Sequence, residues 1–340
     1  MQVKVSIIIP VYNSGSFIID MIDCILKQTY SNWELIIVDD ISTDGTYEKV
    51  IDHTIKEKSR IKLIKRDSQL KGAQTCRNIG FANSTGEYVV FFDADDLISI
   101  NCLQQRVHFL DKRLDLDFAV FPAITFLDSK NIFDATNKHP IAKYPKKDDF
   151  GALLKAEVPF AVWTNMYRRK SIQNITWDPK IKIFQDFHFN FLSILEELKY
   201  EYCSTAKIDY FYRVNDINNG ITSSFVNDKK IESTIYLFTI VLNKLERRND
   251  FKLRKKQLFI FCLMFFERII LEGKKDDSKN YILFLDSNYK NNIIKLSFVV
   301  RLLLYLKSKK IKKLLFYLLI SIFFLSKNHF NVLLSQLKIK

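Results

Sequence analysis

Glycine and proline are scarce in this chain, eight and six among 340 residues. Together with 48% apolar residues, that scarcity excludes collagen-like, low-complexity and disordered sequence and leaves a chain able to bury a large core. Cysteine is sparse as well. Cys24, Cys76, Cys102, Cys203 and Cys262 are odd in number and lack metal-ligand spacing, which argues against a disulfide framework or a zinc site and fits a reducing cytoplasm. No secretory leader is expected, because the N-terminal apolar run Val5-Ser6-Ile7-Ile8-Ile9 is short and breaks at Pro10.

Acidic residues are missing from the far end. Residues 241–340 carry 22 basic and 7 acidic side chains, the other 240 carry 30 and 31, and no acid follows Asp286. The net charge of +14 therefore belongs almost wholly to the last hundred residues, where Lys307, Lys309, Lys310, Lys312 and Lys313 separate two apolar blocks. The longer block, 314–325, falls well short of the ~20 residues a spanning helix needs. Lysines beside such blocks predict peripheral attachment to an anionic membrane surface on its cytoplasmic side, with a packed helical bundle as the alternative. Cations interleaved with aliphatic runs, and no recognised motif, argue against a nucleic-acid partner. The change in composition puts a boundary near residue 230, with a mixed-charge domain over 1–230 and a basic, largely helical region over 231–340.

What the chain does have is apolar strands that end in acids. Tyr88-Val89-Val90-Phe91-Phe92 runs into Asp93-Ala94-Asp95-Asp96, and Trp33-Glu34-Leu35-Ile36-Ile37-Val38 runs into Asp39-Asp40, followed by Ser42, Asp44 and Gly45. Continuous apolar runs of this length read as strands buried on both faces, the mark of a parallel sheet. Residues 5–9, 61–65 and 117–121 add three more strands, the first ended by Pro10, which cannot donate to a central ladder. Helical stretches over 17–28, 45–58, 71–83 and 101–112 supply the crossovers. The expected fold is α/β, an open, mostly parallel sheet flanked by helices, with a helical C-terminal region. Ligands bind such sheets at the carboxyl ends of the strands. Clustered Asp oxygens suit Mg²⁺ or Mn²⁺, although acids at that place also cap helices, here one starting near Asn101.

These motifs resemble the family 2 glycosyltransferases, which have the GT-A nucleotide-sugar fold. The resemblance rests on residues 5–13, on Asp39-Asp40 with Ser42, Asp44 and Gly45-Thr46, and on Gly72 with Cys76-Arg77-Asn78-Ile79-Gly80. Gly86-Glu87-Tyr88 and Phe92-Asp93-Ala94-Asp95-Asp96 continue the same order over roughly 100 residues. It implies metal-dependent transfer, usually inverting, of a sugar from a nucleoside-diphosphate donor. Pro10 and Tyr12 would flank the base, Asp40 would hydrogen-bond it, and Arg77 would reach the diphosphate or nucleotide. Asp93, Asp95 and Asp96 would supply the Mn²⁺ or Mg²⁺ site. Ile41 departs from the pattern, because the family most often has Gly after the acid pair.

Inverting transfer needs a general base, and the resemblance points to Asp186 in Ile183-Phe184-Gln185-Asp186-Phe187-His188, although Gln185 stands where Glu is usual. His188 is a rival, and Asp186 could alternatively cap the helix over 187–197. Tyr210-Phe211-Tyr212-Arg213 reads as a strand leading into an Asn-rich loop with a turn at 218–220. The segment 126–149 has weak periodicity and suggests a loop near the acceptor. The expected role is a cytoplasmic, membrane-associated enzyme extending a glycan or lipid-linked acceptor in surface polysaccharide synthesis, with uridine diphosphate as the default leaving group. A nucleotidyltransferase acting on sugar phosphates and a catalytically inactive assembly partner are the alternatives.

Overall fold

The computed structural model describes residues 2–57, 59–127, 140–214, 227–271, 281, 283–285 and 287–289. The chain divides into two compact units, Met1–Gly220 and Ile221–Lys340.

The first unit alternates β1 (Val5–Val11), α1 (Phe17–Leu26), β2 (Trp33–Asp39), α2 (Thr46–Thr54), β3 (Ile61–Lys65), α3 (Ala73–Ala82) and β4 (Tyr88–Phe91). There follow β5 (Leu97–Ile98), α4 (Cys102–Asp111), β6 (Phe118–Val120), β7 (Ala123–Leu127), α5 (Asp149–Leu154) and β8 (Asn165–Arg168). The unit closes with α6 (Arg169–Ile172), α7 (Gln185–Leu195), β9 (Tyr200–Tyr202) and β10 (Tyr210–Val214). The main sheet runs β3-β2-β1-β4-β8-β6-β9. β1 pairs in parallel with β2 and β4, and β2 with β3. β8 lies antiparallel between β4 and β6, while β9 is parallel to β6.

Both sheet faces are covered, which is why the central strands lack the alternation of a half-exposed strand. Val5, Ile7, Ile9, Leu35, Ile37, Val90 and Phe92 share one core with Ile18, Met21 and Ile22 of α1 and Leu103, Val107 and Leu110 of α4. On the other face Ile36 and Val38 pack with Cys76 of α3. Gly80 lets α3 approach β1 closely, since a Cβ there would lie 2.4 Å from the Ile8 side chain.

The structure alters the expected strands in three respects. β1 continues through Pro10 to Val11, because the pairing to β4 ends at Ile8↔Phe91 and only β2 flanks Pro10. β8 breaks the parallel order, and β5, β10 and β7 form a second, three-stranded sheet, β10 antiparallel to β5 and parallel to β7. The expected loop over 126–149 includes the end of β7 and a bridge from Ile141 back to Ala123; its middle, and the turn at 218–220, lie outside the described residues.

In the second unit α8 (Asp228–Leu245) starts at Asn227, whose side chain accepts the Lys230 N–H at 3.0 Å, a regular N-cap. Ile231, Leu237, Phe238, Val241, Leu242 and Leu245 are its buried apolar residues, at helical spacing. α9 (Phe251–Leu271) brings Phe261 edge-on to Phe238 at 5.1 Å. No helix among the described residues is long and apolar enough to cross a membrane. The lysine-rich blocks after Asp286 that carry the membrane expectation lie outside the described residues.

Candidate functional site

The carboxyl ends of β1, β2 and β4 open on one edge. At the end of β2, both oxygens of Asp40 are engaged: the Arg66 Nε donates to Oδ1, and the Gly72 N–H to Oδ2 at 3.0 Å. Asp39 is fully buried; its Oδ2 accepts the Ser42 N–H at 3.0 Å, and Oδ1 has no partner. Pro10 is part-buried beside this edge and Tyr12 is 56% exposed, the accessibility that stacking on a planar base requires. Ile41 holds a φ of +64°. A β-branched residue is a steric outlier in that left-handed region, which is the physical reason for glycine at this place in the resembling pattern. Hydrogen bonds brace the strained turn from Asn13, whose N–H donates to Ser42 Oγ at 3.0 Å and whose Oδ1 accepts the Thr43 N–H at 2.8 Å.

The acids after β4 are held differently. Asp96 is fully buried; its Oδ2 accepts the Tyr210 hydroxyl at 2.6 Å and its Oδ1 the Arg213 main-chain N–H at 2.8 Å. Burial, then the charges of Asp95 and Asp93, push its carboxyl well above the ordinary range. Asp95 is half-buried and pushed up too, by burial and by Asp93. None of the three caps α4, whose N-terminus at Asn101 has no side-chain cap. Among the described residues no group of three or more His, Cys, Asp or Glu converges to hold a metal on protein ligands alone. Asp93 and Asp95 could hold a divalent cation between them, hard carboxylate oxygens being what Mg²⁺ or Mn²⁺ takes, and its charge would offset that of Asp93, which after burial raises Asp95.

Arg77 bridges this cluster to the next element. Its Nη2 donates to Asp93 Oδ1 at 2.6 Å and its Nη1 to Gln185 Oε1 at 3.0 Å, while its guanidinium lies 4.5 Å from the centroid of Trp177. Asn78 fixes the same segment, its amide donating to the Trp177 carbonyl at 2.7 Å and its Oδ1 accepting the Trp177 N–H at 3.0 Å. Asp186 stands in the first turn of α7. It is no cap, since Phe184 holds that position, with a φ of +61° and no side-chain cap bond. Burial first, and then the charge of Asp93, push its carboxyl up to about 6 against the lowering effect of Arg77 and of the main chain at Val162. His188 is buried in the same helix, a poor station for a group that must meet substrate.

Sequence reasoning picks out the aromatic strand over 210–213 and the aromatic-rich segment 163–167, but not that the two stack into one wall. Trp163 stacks on Tyr210 (4.7 Å, 13° between planes) and on Tyr212 (5.4 Å, 9°). Tyr212 remains 38% exposed, and burial together with Asp96, Asp93, Asp95 and Asp186 pushes its hydroxyl up to about 12. Its hydroxyl thus feels the β4 acids and the α7 acid at once. The visible signal was the pair Tyr210 and Tyr212 on one face of a strand; nothing local pointed to Trp163 as their partner.

A model of the family described as "Glycosyl transferase family 2" matches residues 6–176. An uncharacterized glycosyltransferase of Haemophilus influenzae is 30% identical over 241 residues, 71% of this chain and 88% of that protein. The Escherichia coli protein WfgD, named a UDP-Glc:alpha-D-GlcNAc-diphosphoundecaprenol beta-1,3-glucosyltransferase, is 40% identical over 108 residues, 32% of this chain and 41% of its own length. Among solved structures, S. aureus TarS 1-349 in complex with UDP-GlcNAc superposes with a TM-score of 0.64 at 19% identity, covering 84% of this chain and 80% of that one.

Proposed function

This chain belongs to the family 2 glycosyltransferases, and from that premise we propose that it moves a sugar, with inversion, from a uridine-diphosphate donor to a glycan or lipid-linked acceptor in surface polysaccharide synthesis. The observation that carries the proposal is the crevice itself: Asp93 and Asp95 after β4, joined through Arg77 and Gln185 to the helix that bears Asp186. Donor chemistry and acceptor chemistry need such groups on opposite sides of one sugar. The names of TarS's ligand and of WfgD's substrates support the choice of donor and acceptor classes.

In this proposal Pro10 and Tyr12 flank the base, and Asp40, held by Arg66, accepts its N–H. Asp93 and Asp95 would hold Mn²⁺ or Mg²⁺, which when bound supplies Lewis-acid stabilisation of the leaving diphosphate. Asp96 serves the site indirectly by anchoring the acid loop to β10. Arg77 already pairs with Asp93, and its rigid fork lets it turn to phosphate oxygens when the donor enters. Asp186, raised to about 6, is ionised at neutral pH yet basic enough to accept the proton of an acceptor hydroxyl. We assign the protein to the inner face of the membrane, held peripherally by the lysine-rich blocks after Asp286.

Thermal shift with UDP, UDP-sugars, nucleoside triphosphates and sugar phosphates, each with and without Mn²⁺, tests the proposal. Stabilisation by UDP or a UDP-sugar that requires Mn²⁺ is expected. A response only to a triphosphate with a sugar phosphate would favour a nucleotidyltransferase. No response to any nucleotide would favour an inactive partner.

A further inference from the structure

Arg106 is among the largest side chains that are fully buried, and nothing in the proposed chemistry uses it. It projects from α4 into a bidentate ion pair with Asp209, Nε to Oδ2 at 2.8 Å and Nη2 to Oδ1 at 2.7 Å, with both side chains at 0% exposure. Its remaining nitrogen, Nη1, donates to the main-chain carbonyls of Trp163 at 3.1 Å and Asn165 at 3.4 Å. The guanidinium also lies 5.3 Å from the ring of Phe92 and 5.1 Å from that of Phe121.

Each partner leads to a different part of the site. Asp209 immediately precedes Tyr210, whose hydroxyl donates to Asp96 at 2.6 Å and accepts the Asp93 N–H at 3.2 Å. Phe92 immediately precedes Asp93 and packs on Tyr210 at 5.3 Å. Trp163 lies in the Val162–Thr164 turn, which packs against α7, the helix that bears Asp186. We propose that Arg106 is a positioning residue that fixes the separation between the donor acids of β4 and the carboxyl of Asp186. Its planar fork holds β10 with two donors and the Val162–Thr164 turn with a third, and Lys cannot make that three-way contact. A buried ion pair is weak evidence for stability, since well-packed apolar side chains often replace one without loss. Positioning gives the pair a use that stability alone does not.

The assignment of roles to Asp93, Asp95 and Asp186 rests on the proposed function, so the test has one arm that needs no substrate. In the full-length protein, Arg106→Met combined with Asp209→Leu removes both charges and keeps the core filled. Tyr210→Phe removes the hydroxyl bonds to Asp96 and to the Asp93 N–H, leaving those that Arg213 makes to the same loop. Hydrogen exchange read by mass spectrometry should show faster exchange across residues 92–98 in both variants, and across 161–165 in the double variant alone, with protection in β1 and β2 unchanged. Protection of 92–98 and 161–165 at the wild-type level in the double variant overturns the proposal whatever the protein's substrate. Where transfer is measurable, kcat should fall ~10²-fold, the cost of misplacing groups by about an ångström, with the donor KM changed much less. Wild-type kcat alongside faster exchange would also overturn it. Should the double variant fail to fold, Arg106→Lys, which keeps the charge but not the three-way contact, carries the same decision for both segments.

Discussion

Two strands flanking β1 end in acids, and the protein compensates the two groups to different degrees. At the end of β2 the charge is answered: Asp40 faces a guanidinium and a main-chain N–H, and Asp39 accepts another N–H. After β4 it is answered only in part: Arg77 pairs with Asp93, and Tyr210 and the Arg213 N–H hold Asp96, yet burial and the neighbouring acids still push Asp95 and Asp96 up. In the proposed function the first group would recognise a neutral donor such as a base N–H, and the second, with repulsion left over, would take a cation. Local sequence is nearly the same in the two places, and the partners brought from elsewhere set the difference.

Exchanging charge for neutrality at each group sharpens that contrast. Asp95→Asn should abolish Mn²⁺-dependent UDP binding and lower transfer ~10³-fold or more, since a lost metal costs several kcal/mol of transition-state stabilisation. UDP binding that keeps its Mn²⁺ dependence, read by calorimetry, would remove Asp95 from the site. Asp186→Asn should leave UDP and Mn²⁺ binding intact while transfer falls about 10²–10⁴-fold; equal losses in both would make Asp186 structural. Asp40→Asn should cost about tenfold to a hundredfold in nucleotide affinity, the worth of a charged hydrogen bond, with Mn²⁺ dependence retained. Were Asp40→Asn to lose that dependence as well, the two acid groups would not differ in kind.

The pH dependence follows from Asp186. As a base it must be ionised, so kcat/KM should fall as pH drops below about 6, and bound Mn²⁺ should move that limb lower by offsetting the charge of Asp93. Stability runs the other way. A carboxyl whose folded pKa is raised favours the protonated fold, so its contribution is present below the unfolded pKa and is lost as pH rises through about 6. Denaturant melts at pH 5 and 7 check the sign, with the Asp186→Asn variant expected to lose its part of the difference. The smallest effect concerns Ile41. Replacing it with Gly removes left-handed strain of ~1–2 kcal/mol and adds back ~0.5–1 kcal/mol of unfolded-chain entropy, so a rise in Tm of a few degrees is expected. A fall in Tm would mean that the turn is not strained.

Legibility in the sequence followed the range of the contacts. β1, β2 and β4 were visible because strands buried on both faces leave long apolar runs, and the acids at their ends stand out against those runs. β5, β8 and β9, two to four residues each, carry no such pattern, and their pairings join residues far apart in the chain. Asp186 was found only through resemblance, for nothing local separates it from a helix cap. Asp96 was grouped with the metal acids because Tyr210, 114 positions later, cannot be seen beside it. Arg106 did leave a trace: a cation on the face of α4 that also carries Leu103, Val107 and Leu110 must be buried with a partner, though the sequence does not say which acid.

The bond between Asp96 and Tyr210 has a consequence for the order in which a ribosome delivers this protein. The first four strands of the chain, with the helices that join them, have all been made once residue 91 has emerged. The acid loop that follows them has to wait, since the hydroxyl that seats Asp96 is made more than a hundred residues later. The nascent chain therefore holds β1 to β4 before the group that seats Asp96 exists, so a partly synthesised chain carries the acid loop unseated.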